Sequence, residues 1–311
     1  METTHIPRDD IAARGHLAVL AMAGINIIWG AAFPLTKPAL ETIPPFTFAL
    51  LRFAIALAVL IPLAGRPALW LLRGPDGRRL ALMGVLGFGI TQLTQTVALA
   101  LSPASDIALI APTTPLWVAL LAWPLLGERL TRRGALGFAL AIAGLLIILW
   151  PQGGLGTASW QRLLGDGLFL VSSLGWAAYN LMGRDLMARR APLPATTAAG
   201  LVGTLAILPC AVGEWATGHT PVFTPIGVAA ILYTGLLVTV LGFLVLFWAL
   251  GRASAARVAA MMYFQPLAGV LIAWLWLDER LGEGFVFGAA LVLAGVSLVA
   301  LPPRKGRASS L

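Results

Sequence analysis

Charge is scarce in this chain: Asp, Glu, Lys and Arg make up 11% of its 311 residues, where an average soluble domain carries roughly 25%. With 59% hydrophobic residues and a mean hydropathy of +0.89, such a surface cannot be solvated by water, so the implied solvent is lipid. Cysteine is scarcer still. The single Cys210 lies in an apolar run, which excludes an internal disulfide. The three histidines, His5, His16 and His219, fall in the amino-terminal segment or a loop and form no metal-ligand cluster, so no metal and no cofactor is expected. Acidic groups are missing from the interior of every apolar run; Asp106, Asp166 and Glu214 sit at run ends. That removes the usual titrating group of a proton-coupled carrier. Without intramembrane His or carboxylate pairs, the nucleophile–base and metal constellations of a membrane-embedded enzyme are missing too. Nothing reads as a nucleotide-binding loop.

What is present is a series of long apolar runs. A spanning helix needs roughly 20 mostly apolar residues. Ten candidates lie near 16–35, 44–64, 79–101, 104–126, 133–150, 164–184, 195–213, 224–249, 254–277 and 284–302. If the amino terminus is cytoplasmic, Arg66, Arg73, Arg129, Arg133, Arg189, Arg252 and Arg304 all fall inside with most other basic residues. Only Lys37, Arg162 and Arg280 fall outside, and Arg52 stands within the second span. That bias follows the positive-inside rule with both termini cytoplasmic. The formal net charge of +8 then records topology, and nucleic acid is not expected as a partner.

One stretch is written twice. Residues 115–144 and 266–295 align without a gap: Pro115, Trp123, Glu128, Arg129, Gly137 and Gly144 recur as Pro266, Trp274, Glu279, Arg280, Gly288 and Gly295, each 151 positions on. Trp29 and Lys37 correspond more weakly to Trp176 and Arg184. Five spans per half is an odd number, so the second copy must be inverted. The expected fold is an all-α polytopic membrane protein of ten transmembrane helices in two inverted five-helix repeats. Its parts are a cytoplasmic tail at 1–15, a first repeat at 16–150, an external linker at 151–163, a second repeat at 164–302 and a cytoplasmic tail at 303–311.

The Trp29-Gly30-Ala31-Ala32-Phe33 segment with Lys37, the Pro115…Gly127-Glu128-Arg129-Leu130 run and the Pro266…Asp278-Glu279-Arg280-Leu281 run together resemble the EamA family of the drug/metabolite transporter superfamily. The resemblance covers about residues 16–302 and implies a ten-helix inner-membrane carrier of small metabolites, often an exporter of amino acids or related compounds.

Polar side chains inside a span are costly unless they pair or line a wet cavity. The third span carries Thr91, Gln92, Gln95 and Thr96 at helical spacings, opposite Gly242, Phe243, Leu246 and Phe247 in the second copy. Proline interrupts the fourth and ninth spans, where Pro112 and Pro115 bracket Thr113 and Thr114 and Pro266 follows Tyr263, Phe264 and Gln265. Such breaks free backbone carbonyls and commonly line carrier sites. The first span adds Asn26 and Trp29, and the sixth adds Trp176, Tyr179 and Asn180. The expected substrate-binding set is therefore Asn26, Trp29, Thr91, Gln92, Gln95, Thr113, Thr114, Trp176, Tyr179, Asn180, Phe243, Phe247, Tyr263 and Gln265.

Other features have plainer readings. Arg52 is expected to snorkel or to pair with a helix carbonyl, with a substrate carboxylate as the competing partner. Lys37 is expected to close the outer end of its own helix, where a cation suits the dipole. Glu128 and Glu279 precede helix starts, where negative charge is favourable. Trp70, Trp150 and Trp160 read as interfacial belt residues. The glycines at 137, 144, 288 and 295 form a small-residue face that packs either within the chain or against a second copy in a homodimer.

The expected function is a secondary transporter with a small-molecule substrate in the lipid bilayer of a bacterial-type inner membrane. It would export amino acids or similar metabolites by alternating access at a central cavity. The competing readings are a membrane-embedded enzyme and a polytopic sensor or assembly protein. The first lacks a catalytic constellation, and the second is disfavoured by tails of only about fifteen and nine residues.

Overall fold

The computed structural model describes residues 8–126, 132–149, 159–250, 252, 261–279, 281 and 284–300. Among them no strand is present. Helix α1 is Arg8–Thr36, continuing into a 3-10 turn, Lys37–Glu41, and α2 is Pro45–Ala64. Helix α3 comprises Gly77–Met83, a π segment Gly84–Ile90 and Thr91–Leu101. Helix α4 runs from Ala104–Ile110 through a 3-10 turn, Ala111–Thr113, into Thr114–Leu126. Then come α5 (Arg132–Leu149), α6 (Trp160–Arg189) and α7 (Pro192–Ala216). Helix α8 comprises Pro225–Leu232, a second π segment Tyr233–Leu241 and Gly242–Leu250. Helix α9 is Phe264–Leu277, behind the 3-10 turn Met261–Tyr263, and α10 is Phe285–Ala300. A short helix, Arg66–Arg73, joins α2 to α3.

Six helices among the described residues are long and apolar enough to cross a membrane. Large apolar side chains point outward around the bundle, including Leu20, Leu205 and Val286 at 68%, 58% and 75% exposure. Each would forgo roughly 1.5–3 kcal/mol if left in water, so this face belongs in lipid. Trp70 and Trp160 are exposed; Trp150 lies outside the described residues.

Proline supplies the first residue of α2, α7 and α8, where its missing N–H removes no helical bond. Thr224 caps α8 by accepting a hydrogen bond from the Gly227 N–H at 3.0 Å. The interruptions expected in the fourth and ninth spans take the form of the two 3-10 turns, at nearly equivalent positions of the two copies.

The halves interleave. Helix α1 packs on α9, where Gly30 meets the backbone of Gln265 and Gly269 meets Ala108 of α4. Helix α3 lies against α6 and α7, and α2 lies against α7 and α8. Helices α5 and α10 cross through the glycine face: Gly144 abuts the Gly288 carbonyl, and Gly295 abuts the Gly137 carbonyl. This face packs within the chain.

Candidate functional site

The two π segments occupy equivalent places, since Gly84–Ile90 advanced by 151 falls within Tyr233–Leu241. A π turn widens the helix and displaces carbonyls from their usual partners, and such turns recur at functional sites. Side chains take up the displaced carbonyls here. The Thr91 hydroxyl donates to the Leu86 carbonyl at 2.8 Å, and the Thr239 hydroxyl donates to that of Thr234 at 2.9 Å. The Trp29 indole N–H crosses from α1 to the Val238 carbonyl at 2.9 Å, with its ring against Gly242. Tyr233 returns the contact, donating from its hydroxyl to the Ile28 carbonyl at 2.8 Å.

A cluster of rings is centred on Phe88 of the first π segment. Phe53, Trp176, Tyr179 and Phe243 all approach it edge to face, with centroids 5.6, 6.0, 5.3 and 6.0 Å away. Trp176 and Tyr179 stack at 4.9 Å, and Phe247 lies parallel to Phe243 at 6.0 Å. Both halves contribute: Phe53 and Phe88 come from α2 and α3, the others from α6 and α8. Edge-to-face pairs add about 0.5–1.5 kcal/mol each beyond burial.

Beside the rings is a polar patch. Arg52 donates from Nε to the Thr239 hydroxyl at 3.3 Å and from Nη1 to the Gln92 Oε1 at 3.2 Å. Its guanidinium carbon is 5.1 Å from the Phe53 ring centroid. Arg52 does not snorkel. It lies about 160° around α2 from the exposed Ala54, and its guanidinium reaches side chains of α3 and α8, so it points into the bundle. Gln92 and Thr239 sit near the middle of α3 and α8, which places the guanidinium at mid-bundle height.

The two copies explain the arrangement. Phe88 is equivalent to Thr239, and Gln92 to Phe243, each at the 151-residue offset. Phe88 meets Phe243, while Gln92 and Thr239 meet on Arg52. The same pair of positions thus forms an apolar contact on one side and a polar one on the other.

The remaining expected residues divide. Thr91 faces α6, where its hydroxyl also reaches the Ser172 carbonyl at 3.3 Å. Asn26 is fully buried and donates to the Met22 carbonyl of its own helix, and its Oδ1 has no partner among the described residues. Thr113 and Thr114 donate to carbonyls of their own helix, those of Ile110 and Ala111. Gln95 and Gln265 are half-buried and join neither the rings nor Arg52. Asn180 donates to the Trp176 carbonyl yet stays exposed, on the side of α6 opposite Val171. The side chain of Tyr263 lies outside the described residues. Arg52, Phe53, Phe88 and Thr239 were missing from the expected set. The signal that finds two of them is the repeat register, which pairs Phe88 with Thr239.

One end of the bundle is tied by charged groups. Lys37 donates to the Leu99 carbonyl at 3.0 Å and to that of Ser102, so it closes α3 and not its own helix. Glu279 likewise caps a helix other than the expected one. Its carboxylate accepts from the Ala104 and Ser105 N–H groups at 2.7 and 2.9 Å, at the start of α4. Asp278, at φ 50°, makes the left-handed turn that precedes it. Arg162 pairs with the buried Asp106 at 2.7 Å. Glu214 holds the Phe46 and Thr47 N–H groups at 2.9 and 2.8 Å, at the start of α2. Glu128, Arg129 and Arg280 lie outside the described residues. No metal-binding group of His, Cys, Asp and Glu occurs among the described residues.

The family model of EamA-like transporters matches this chain twice, over residues 16–150 and 163–301. A probable terminal-alkyne amino-acid exporter of Streptantibioticus cattleyicolor is 29% identical over 91% of this chain and 93% of its own. A probable amino-acid metabolite efflux pump of Escherichia coli is 27% identical with the same coverage of both chains. An uncharacterized transporter of Archaeoglobus fulgidus is 28% identical over 90% of this chain and 96% of its own. A solved crystal structure at 20% identity superposes with a TM-score of 0.62, covering 91% of this chain and 96% of that one, and so shares the fold. The double match and the apolar helices agree: this chain belongs to the EamA-like transporter family, as a multi-pass membrane protein.

Proposed function

We propose that this chain is a secondary carrier of the bacterial-type inner membrane that exports amino acids or similar small metabolites through a site between its two inverted repeats. The observation that carries this reading is the Phe88 cluster, to which α2 and α3 of one repeat and α6 and α8 of the other all contribute rings. A site built from both repeats must be remade whenever one rocks against the other, which alternating access requires. Relatives whose names specify amino-acid export support the substrate class. In this reading both termini are cytoplasmic, and the end holding Lys37, Asp106, Arg162, Glu214 and Glu279 is external. Those contacts join α1, α2, α3, α4, α6, α7 and α9 there, forming a closed outer gate. Asn180 and Trp176 are accessible nearer the opposite end, as an inward-facing carrier needs. Gln92, Trp176, Tyr179, Phe243 and Phe247 contact the substrate, while Trp29 and Thr91 hold the π segments. The chain acts as a carrier and not as an enzyme.

The test is counterflow in proteoliposomes of the purified protein, loaded in turn with unlabelled amino acids of each class and assayed for uptake of the labelled counterpart. Accumulation that Trp176→Ala removes supports the reading. No counterflow with any class, in protein shown to be folded and inserted, sinks it.

A further inference from the structure

The structure also names the chemical group that the site would grip. We propose that Arg52 is the anchor for a carboxylate of the bound molecule, and that the Phe88 cluster receives an apolar body attached to it; the claim that this molecule is also transported rests on the carrier reading above.

A guanidinium has five N–H donors in one plane. At Arg52 two of them are directed to neutral acceptors, the Thr239 hydroxyl and the Gln92 amide oxygen. Both bonds, at 3.3 and 3.2 Å, are long beside the roughly 2.7–2.9 Å of a charge-assisted bond to carboxylate. No carboxylate among the described residues pairs with it. Elsewhere the bundle does pair an arginine, since the half-buried Arg162 is held by Asp106.

A cation kept among helices without an opposing charge is destabilising, and a leucine would fill the same volume at lower cost. Its retention at mid-bundle height is accounted for by a ligand that brings the negative charge. Three N–H donors remain, enough for the two-pronged contact with a carboxylate that the rigid fork favours and an ammonium cannot copy.

The neighbours define the rest of the ligand. Phe53 carries the guanidinium against its ring and also forms one edge of the Phe88 cluster, so charge and apolar box are contiguous. A molecule held by Arg52 through its carboxylate has its next few carbons beside rings. The class is a small carboxylate with an aromatic or large aliphatic body, which includes the large apolar amino acids. Amines without a carboxylate, and sugars, do not fit this pairing.

Binding is measured on the full-length protein in lipid nanodiscs by tryptophan fluorescence, with Trp176 in the cluster as reporter. The probes are phenylacetate and its neutral isostere phenylacetamide. The wild type is expected to bind the acid at least about tenfold more tightly than the amide. Arg52→Gln should abolish that preference, and Arg52→Lys should retain only part of it. A wild type that binds neither probe, or both equally, overturns the proposal. So does an Arg52→Gln protein that keeps the preference. Should Arg52→Gln show no cooperative unfolding, the lysine variant decides, because full preference there excludes a two-pronged guanidinium contact. Counterflow separates this from the carrier reading. Arg52-dependent acid binding without exchange leaves the anchor standing and removes the carrier. Exchange without acid preference does the reverse.

Discussion

Gly144 and Gly288 meet backbone to backbone where α5 crosses α10, and seven residues along each helix Gly137 meets Gly295 in the same way. Gly137 and Gly288 are equivalent in the duplication, as are Gly144 and Gly295. The contact is therefore reciprocal: each position of one copy touches the other copy's version of its partner, as a two-fold axis between antiparallel helices requires. Close approach of this kind is how helices gain packing in lipid, where apolar burial no longer drives them together.

A Cβ at Gly144 would lie 2.5 Å from the Gly288 carbonyl oxygen, a backbone atom that cannot rotate away. Gly144→Leu should therefore lower stability by about 1–3 kcal/mol or more, the range for overpacking. At Gly24 a Cβ would meet nothing within 4 Å, so alanine there should bring little change. Thermal unfolding in nanodiscs checks both, and an unshifted midpoint in Gly144→Leu would contradict the crossing.

Glu279 joins the end of α9 to the start of α4. Glu279→Ala should cost about 1–2 kcal/mol as a lost helix cap with its charge. It should also loosen that end of the bundle. Ser102, only 1% exposed, offers the readout: in a Cys210→Ala background, a Ser102→Cys thiol should react several-fold faster with a membrane-impermeant maleimide once Glu279 is removed. Equal labelling rates would mean that the cap does not hold this end closed.

Trp29 spends its indole N–H on the Val238 carbonyl of a π segment. Trp29→Phe keeps the ring but leaves that carbonyl unpaired, at a cost of about 1–3 kcal/mol. Trp70→Phe, at an exposed position, should cost far less. If the two variants unfold at the same temperature, the bridge from α1 to α8 contributes nothing.

Phe88 receives four ring edges, and Phe88→Leu removes them while leaving the polar patch in place. At about 0.5–1.5 kcal/mol per edge, losing one or two edges to the ligand or its lining should weaken binding of an aromatic acid roughly three- to tenfold. Preference for acid over amide should persist, because Arg52 is untouched. Gln92→Phe, which writes the second copy's residue into the first, should instead erode that preference. Fluorescence titration of both variants with the two probes would expose a failure of this division of labour.

The spans and the duplication were legible because each is a property of a continuous run. An apolar stretch of spanning length needs no knowledge of its neighbours, and a repeat in register needs only itself. Trp176, Tyr179, Phe243 and Gln92 were legible because aromatic and amide groups within a span stand out. Phe88 was not, since one phenylalanine in an apolar run is indistinguishable from a lipid-facing one. Lys37 and Glu279 are helix-end groups, as their positions in the sequence suggest, but each serves a different helix from the expected one, because a cap answers whichever terminus lies nearest in space.

The sequence by itself determined the solvent, the helical class and the repeat, which follow from composition and register along one chain, and its motifs carried the resemblance to the family. Only the tertiary structure decided which equivalent positions meet across the repeats. That outcome set the chemistry: Phe88 meets Phe243 as an apolar pair, whereas Gln92 and Thr239 converge on Arg52. The physical reason is that ring edges and hydrogen bonds act over a few ångströms between helices far apart in the chain, where no local pattern records the partner.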